Sequence, residues 1–314
     1  FFISWEEEKK SDYLKLDKIL LEYLLEEEKF VNSDFERIIE KEIENVSLLI
    51  IDNKEIDRKN FPDGTMLIKH LSDGENTKIT WLYDNDEECM VIYFLVKHLR
   101  TQGVKRIELL MPYIPNARMD RVKNSDEVFT LKYFAEFIND LKFDTVEVLD
   151  PHSNVSTALI DNISIIEPTD IILHLLETVN SDGNIILFFP DEGAIKRYSH
   201  IASKCDIPYV FGMKHRDWRS GEILGLEVLG ETDVVPGKNI LIIDDICSRG
   251  GTFLHSAKAL KAMGAADIDL YVSHLENAVW EGDMIKSGLV RNIYTTNSIY
   301  RFQDKGPVKV VQEY

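Results

Sequence analysis

The stretch Asn239-Ile-Leu-Ile-Ile-Asp-Asp-Ile-Cys-Ser-Arg-Gly-Gly-Thr252 decides the fold of this 314-residue chain. The four apolar residues after Asn239 are typical of a buried strand, and the paired glycines allow a tight turn into a helix. A strand, a glycine turn and a helix in this order are the repeating unit of α/β folds with parallel sheets. We expect Asp244 and Asp245 to project from the end of the strand, where open α/β sheets bind their ligands.

The loop Asp244–Thr252 combines groups that suit a phosphorylated ribose. Free N–H groups at the start of the helix attract a phosphate, and the two carboxylates accept hydrogen bonds from the 2- and 3-hydroxyls of the sugar. The alternative is an acidic strand end followed by a plain turn and an ordinary helix start. The predicted contacts are Asp244, Asp245, Cys247, Ser248, Arg249, Gly250, Gly251 and Thr252.

Outward from this loop, strands and helices alternate in two series separated near residues 152–168. Alternation of this kind predicts an α/β fold with two similar domains, each a parallel sheet flanked by helices. We assign residues 46–160 to the first domain and residues 161–314 to the second. Residues 1–45 hold 14 acidic and 7 basic residues and have apolar positions at helical spacing, which predicts a helical acidic extension.

Composition limits the possible partners. The net charge of −19 argues against a nucleic-acid partner, which would need a basic face. No apolar run approaches the roughly 20 residues of a membrane span, so no membrane partner is expected. Three widely spaced cysteines do not form a disulfide framework, which favours a reducing cytoplasm. A bound phosphate would need local positive charge from side chains, backbone N–H groups or a divalent cation.

Several further motifs, in order along residues 47–300, accompany the ribose loop. They are Phe61-Pro-Asp-Gly64, Met111-Pro-Tyr-Ile-Pro-Asn-Ala-Arg-Met-Asp-Arg121, Asp150-Pro-His-Ser153, Pro190-Asp-Glu-Gly193, Lys214-His-Arg216 and Thr296-Asn-Ser-Ile299. With the loop at Asp244–Thr252, this set resembles the ribose-phosphate pyrophosphokinases (PRPP synthetases). The resemblance implies two phosphoribosyltransferase-type domains and Mg²⁺-dependent transfer of a diphosphoryl group from ATP to a phosphorylated ribose.

The resemblance also implies roles for individual residues. ATP would contact Phe61, Asp63, Arg118, Met119, Asp120 and Arg121, with Phe61 supplied by a neighbouring subunit, so that a homo-oligomer of at least two chains is expected. His152 and Asp191 would hold metal, and Lys214 and Arg216 would open a mobile catalytic loop after an apolar strand. Lys196 and Arg197 stand in the first turns of a helix, where the dipole disfavours cations; a phosphate partner and simple solvation are both open.

The sequence departs from the family where substrate is bound. Ser248-Arg249 replaces the usual Asp-Thr, which changes the formal charge of the phosphate loop by about +2. Thr65 and Met119 stand where the family usually has Glu and Gln. Two acceptors are therefore possible, ribose 5-phosphate and ADP-ribose. Arg249 suggests the second, because ADP-ribose carries a 5′-diphosphate with extra negative charge next to this loop. The ribose loop is also compatible with a non-catalytic regulator that binds PRPP and with a true phosphoribosyltransferase.

Overall fold

The computed structural model describes residues 48–314 apart from residues 73, 182 and 217–222, and for Leu48 and residues 214–225 it describes no side chains. Residues 47–314 form one compact unit. The helical extension expected at residues 1–45 lies outside the described residues. The boundary near residue 160 stays a prediction, although each half contains its own sheet.

The first half is built on a six-stranded sheet in the order β2-β1-β5-β6-β7-β8. The chain runs β1 (Leu48–Ile51), β2 (Lys54–Glu55), β3 (Asp57–Asn60), β4 (Met66–Lys69), β5 (Asn76–Leu82), α1 (Glu87–Thr101), β6 (Arg106–Leu110), α2 (Thr130–Asp140), β7 (Thr145–Leu149), α3 (Asn154–Leu159) and β8 (Ile163–Ile166). Strands β5 to β8 are parallel, whereas β1 and β2 are antiparallel. Helices α1 and α2 bury their apolar faces on this sheet.

The second half is a seven-stranded sheet in the order β11-β10-β9-β12-β13-β14-β15. Its elements are α4 (Thr169–Val179), β9 (Ile185–Phe189), α5 (Glu192–Cys205), β10 (Tyr209–Arg216), β11 (Ile223–Gly230), β12 (Asn239–Cys247), α6 (Gly251–Ala262), β13 (Ile268–Leu275), α7 (Asp283–Ser287), β14 (Ile293–Thr296) and β15 (Val308–Gln312). All residues of β9 and β13 are buried, as expected for parallel strands covered on both faces. Within the described part of this sheet, only β11 pairs antiparallel.

Alternate residues of β12 enter different layers of the core. Ile240 and Ile242 pack with α6, whereas Leu241 and Ile243 pack with α4 and α5. This alternation follows from the two-residue period of a strand. The same alternation determines which helix layer Asp244 and Asp245 can each contact.

Two expectations about strand ends were wrong. β12 continues to Cys247 and pairs with Leu275 of β13, so Asp244 and Asp245 lie within the strand, not beyond it. β10 continues to Arg216 because it forms an antiparallel hairpin with β11, so Lys214 and Arg216 lie on a strand and do not follow it. In both cases a neighbouring strand supplies backbone hydrogen bonds that keep polar residues in the sheet.

In the part of the chain that the structure describes, no helix combines the length and the apolar character that a membrane span requires. The predicted alternation of strands and helices is confirmed in both halves. Several elements were not predicted from the sequence, namely the short elements β2, β3, α3, β8, α7 and β15 and the eight-residue strand β11.

Candidate active site

The ribose-phosphate loop is a tight turn between β12 and α6. Gly250 has φ +77°, and a Cβ at this position would lie 2.8 Å from the side chain of Met284. A Cβ on Gly282 would collide with the backbone carbonyl of Arg249. The loop therefore keeps its shape because two glycines, one within it and one beneath it, allow close packing. Gly251 and Thr252 then begin α6, where unpaired N–H groups suit a phosphate.

The two aspartates of β12 have different surroundings. Asp245 accepts a hydrogen bond from Arg197 Nη2 on Oδ1 at 2.8 Å, and its Oδ2 lies 2.5 Å from Nδ1 of His152. Asp244 accepts the backbone N–H of Asp245 on Oδ1 at 3.0 Å, and Arg197 Nη2 is 3.6 Å away. Among the described residues, none donates a hydrogen bond to Oδ2 of Asp244. The side chain of Asp244 is 12% exposed and that of Asp245 only 3%.

These surroundings move the pKa values of the pair in opposite directions. Burial acts to raise the pKa of Asp245, but the hydrogen bond from His152 and the charge of Arg197 outweigh it and hold this pKa well below its usual range. Burial raises the pKa of Asp244 well above its ordinary value, and the charges of Asp245 and Asp191 add to the effect. Asp245 is consequently an ionised carboxylate. The negative charge of Asp244, in contrast, is only weakly balanced by positive groups of the protein.

His152 reaches the site from the first half of the chain, just after β7. Its hydrogen bond with Asp245 raises the pKa of the imidazole, against the opposing effect of burial. Because an ionised carboxylate only accepts hydrogen bonds, Nδ1 of His152 must donate, and Nε2 is left to face a ligand. A metal-binding histidine typically donates its other N–H to a carboxylate in this way.

Arg197 ties the two halves together. Its Nη1 donates to the backbone carbonyls of His152 and Pro151 at 3.2 and 3.5 Å, while Nη2 contacts the carboxylate of Asp245. The sequence had left solvation or a phosphate as its partner, and the structure gives it carboxylate and carbonyl partners instead. Its position near the start of α5, where a cation is unfavourable, was the signal in the sequence.

A second bridge lies on the ATP side of the site. Arg118, in the turn after β6, forms an ion pair of 2.7 Å with Glu276, which directly follows β13. The backbone N–H of Glu276 donates to the carbonyl of Cys247 at the end of β12. The guanidinium expected to hold ATP phosphates therefore lies next to the ribose loop. Glu276 was missed in the sequence because nothing local marks it.

A buried network supports these bridges from below. Asp150 accepts hydrogen bonds from the hydroxyls of Tyr198 and Ser273 at 2.7 and 2.5 Å. Burial and the nearby charge of Asp245 raise the pKa of Asp150 to about 6. His274 bonds to the carbonyl of Leu149 through Nε2 at 3.1 Å. The ends of β7 and β13 are thus fixed to each other beneath the site.

The remaining predicted residues divide into three groups. Phe61 and Asp63 lie on the turn of the β3–β4 hairpin, where Asp63 accepts from the backbone and hydroxyl of Thr65 and the Phe61 ring is about half exposed. Met119, Asp120 and Arg121 follow Arg118 out of its turn. Lys214 and Arg216 have no described side chains, so their approach to the site stays a prediction.

The protein groups present fit a magnesium ion that completes its coordination elsewhere. Asp191 accepts from the backbone N–H of Ala194 at 3.2 Å at the start of α5, and its charge is felt by Asp244. No three His, Cys, Asp or Glu side chains form a metal cluster among the residues that the structure describes. Mg²⁺ usually keeps several waters and needs one or two protein groups plus substrate phosphates. Asp191 and Nε2 of His152 would supply those protein groups.

Comparison with known proteins agrees with this architecture. Residues 161–296 match the family model described as phosphoribosyl transferase domain. The ribose-phosphate pyrophosphokinase of Pyrococcus abyssi is 29% identical over 276 residues, which are 86% of this chain and 92% of that protein. The enzyme of that name from Saccharolobus solfataricus is 25% identical over 257 residues, which are 80% of this chain and 87% of that protein.

A solved structure supports the fold across both halves. The phosphoribosylpyrophosphate synthetase of Mycobacterium smegmatis superposes with a TM-score of 0.64 over 82% of this chain and 85% of that one, at 18% identity. At this identity the structural match supports the fold alone. Over most of its length the chain is similar to ribose-phosphate pyrophosphokinases, and this similarity supports a transferase of the diphosphokinase type.

Proposed function

We propose that this chain transfers the β,γ-diphosphoryl group of ATP to the anomeric C1 hydroxyl of ribose 5-phosphate and so forms PRPP. The observation that supports this proposal is that side chains from both halves of the chain contact each other at one site. His152 from the first half bonds to Asp245, and Arg118 from the first half pairs with Glu276 beside the ribose loop. Such a site places a cation that can bind ATP phosphates beside a loop that can bind a ribose phosphate. This arrangement suits the transfer of a diphosphoryl group from ATP to the ribose.

The chemistry asks mainly for positioning and for neutralisation of charge. The loop from Ser248 to Thr252 holds the 5-phosphate, and the carboxylates of Asp244 and Asp245 accept from the ribose hydroxyls. Arg118, whose side chain is 54% exposed, exchanges Glu276 for the ATP phosphates. Bound Mg²⁺, held by Asp191 and His152, would neutralise the phosphate oxygens. We place Lys214 and Arg216 over the transferring group as its cationic cover.

The proposal is tested by offering ATP and Mg²⁺ with either ribose 5-phosphate or ADP-ribose and weighing the products by mass spectrometry. Formation of PRPP and AMP from ribose 5-phosphate is the expected result. Product from ADP-ribose alone would replace the proposed acceptor. Failure of both acceptors, with binding of PRPP retained in calorimetry, would instead support a non-catalytic regulator.

ADP-ribose is a second candidate because of Arg249, and its product would be ADP-ribose 1-pyrophosphate, an intermediate for rebuilding NAD. The Arg249 side chain is 69% exposed and pairs at 2.7 Å with Glu281, which is 63% exposed. An exposed pair of this kind is easily given up. The freed guanidinium would then bind the second phosphate of a 5′-diphosphate, which ribose 5-phosphate lacks.

Replacing Arg249 separates the two acceptors. If ADP-ribose is the substrate, Arg249→Ala raises its KM about tenfold or more, the usual loss for a charged hydrogen bond. The matched control is Lys286→Ala, which removes an exposed cation of α7 outside the loop. An equal effect of both variants would mean that Arg249 acts only through net charge.

The smallest active unit is proposed to be a dimer, in which the exposed Phe61 of one chain completes the ATP site of the next. The expected result is a specific activity that falls on dilution, together with a loss of activity in Phe61→Ala that an excess of a Lys214→Ala chain partly restores. A monomer that is fully active at high dilution would contradict this. We place the reaction in a reducing cytoplasm, since the three cysteines are free thiols.

A further inference from the structure

Two arginines that we expect to meet substrate phosphates are paired with acids from one short segment of the chain. Nη2 of Arg118 lies 2.7 Å from Oε1 of Glu276, and Nη2 of Arg249 lies 2.7 Å from Oε2 of Glu281. Glu276 directly precedes the short helical turn that ends at Glu281. A guanidinium binds carboxylates and phosphates with the same planar fork. Each acid therefore takes a position at its arginine that a phosphate would need.

The two ion pairs differ in their exposure to water. The side chains of Arg249 and Glu281 are 69% and 63% exposed, whereas that of Glu276 is only 24% exposed, against 54% for Arg118. Solvent and salt screen an exposed pair strongly and a partly buried pair much less. Glu276 is consequently the acid that competes more strongly with a phosphate for its arginine.

The backbone fixes Glu276 between the two substrate sides. Its N–H donates to the carbonyl of Cys247 at 2.8 Å, directly after the register pair Cys247 and Leu275 of β12 and β13. Burial raises the pKa of the Cys247 thiol and of the Tyr113 hydroxyl, and the charge of Glu276 adds to both effects. The carboxylate thus acts on the turn after β6 and on the end of β12. Even when it releases Arg118, it stays near that guanidinium.

We infer that Glu276 sets the affinity for ATP as an internal competitor: the polyphosphate must displace its carboxylate from Arg118 before ATP is fully bound. The inference rests on the proposed function, which assigns the ATP phosphates to Arg118. A triphosphate carries several negative charges and displaces a single carboxylate more readily than a monophosphate does. Glu276 therefore favours ATP over AMP at this arginine, and it returns to Arg118 when AMP leaves after transfer.

Binding of an ATP analogue tests the inference without turnover. The probe is ATP with a methylene group in place of the oxygen between the α- and β-phosphorus atoms, the link that transfer would break, titrated with Mg²⁺ in a calorimeter. Glu276→Gln keeps an oxygen that accepts from Arg118 but removes the charge. Its Kd for the analogue should fall about three- to tenfold, and its Kd for ribose 5-phosphate should change less than about twofold.

Steady-state kinetics give a second readout. In Glu276→Gln the KM for ATP should fall by a factor similar to that of the Kd, while kcat stays within about twofold of the wild type. This split is expected because the competing carboxylate is displaced when ATP binds and not during transfer, so its removal changes uniform binding.

Glu281→Gln is the matched control. It removes the same charge from the same segment, at the same 2.7 Å distance from an arginine, but at an exposed position. Its Kd for the ATP analogue should change less than about twofold. A double-mutant cycle with Arg118→Ala completes the test. Arg118→Ala alone should weaken binding of the analogue about tenfold, and adding Glu276→Gln to it should bring no tightening.

Each outcome decides the inference. Unchanged or weaker binding of the analogue in Glu276→Gln would overturn it, and so would an equal tightening in Glu281→Gln or a tightening that persists without Arg118. Unchanged binding in Arg118→Ala would reject the proposed ATP site and the inference together. A tightening that requires Arg118, in a protein that turns over neither acceptor, would uphold the inference and reject the proposed reaction.

Discussion

Arg197 and Glu276 have partners that are distant from them in sequence. Arg197 contacts Asp245, 48 positions away, and Glu276 pairs with Arg118 of the other half. Each charge is compensated by a partner in a different element, and a charge left partly buried without its partner would be strongly destabilising. At the scale of residues, the chemistry of the site therefore depends on which charged side chains form ion pairs.

Lys214 is expected to act on the transferring group and not on the sugar. Lys214→Ala should reduce kcat by about 100-fold or more, because it removes a cation that neutralises charge developing in transfer. Calorimetric binding of ribose 5-phosphate should remain within about threefold of the wild type. Lys204→Ala, an exposed lysine near the end of α5, is the control. Unchanged turnover in Lys214→Ala would show that the catalytic cation lies elsewhere.

His274 should make the protein sensitive to acid. Burial lowers the pKa of this imidazole from its ordinary 6.5 to about 4. Because the folded protein resists protonation of this imidazole, its contribution to the free energy of unfolding is fully present above pH 6.5 and is lost as the pH falls through about 4. The loss amounts to roughly 3 kcal/mol. His274→Gln cannot titrate, so its deficit in unfolding free energy against the wild type should shrink between pH 7.5 and pH 4, which urea unfolding at several pH values measures. A constant deficit would contradict this assignment.

At the scale of elements, the turn between β12 and α6 is the part of the chain to which we assign acceptor binding. Its shape requires that the backbone carbonyl of Arg249 approach the Cα of Gly282 more closely than any side chain would permit. Gly282 lies outside the motif and precedes α7. The proposed phosphate site is thus supported by a residue that lies about 30 positions further along the chain.

Gly282→Ala should displace the phosphate loop. We expect the KM for the phosphorylated acceptor to rise about tenfold and the unfolding free energy to fall by about 1–3 kcal/mol, the usual cost of overpacking. Gly74→Ala is the control, because a Cβ there would have no neighbour within 4 Å. Steady-state kinetics and urea unfolding of both variants make the comparison. Normal acceptor binding in Gly282→Ala would show that the loop can relax.

For the described unit as a whole, the two sheets are joined by buried hydrogen bonds. Asp150 receives the hydroxyls of Tyr198 and Ser273, and His274 reaches the carbonyl of Leu149. These contacts hold the end of β7 against β13 and α5. A site assembled from both halves keeps its geometry only if the halves do not move independently.

Unfolding of the two halves should therefore be cooperative. We expect one calorimetric transition for the described unit, with a calorimetric enthalpy close to the van't Hoff value. Tyr198→Phe should lower its midpoint without splitting it, because a buried hydrogen bond to Asp150 is lost at a cost of about 1–3 kcal/mol. Tyr133→Phe, on the exposed face of α2, is the control. Two separate transitions would mean that the halves are independent domains.

Much of the fold and part of the site could be predicted from the sequence. Apolar runs of four or more residues, such as Ile185–Phe189, and amphipathic helices such as Thr169–Val179 carry their structure in local patterns. The glycine loop after β12 does so as well, because only glycine readily adopts the φ of +77° found at Gly250. These features depend on neighbours in the chain, which the sequence shows directly.

Other features were decided by tertiary structure alone. Pairing with β13 and β11 extended β12 and β10 beyond their apolar cores, since backbone hydrogen bonds do not depend on side-chain polarity. Asp244 and Asp245 are identical in type and adjacent, so no local pattern could assign Arg197 and His152 to only one of them. The sequence by itself determined the α/β fold, the glycine turn after β12 and the resemblance to ribose-phosphate pyrophosphokinases. The three-dimensional approach of distant residues decided which aspartate contacts Arg197 and His152, because electrostatic partners are determined by distance in space.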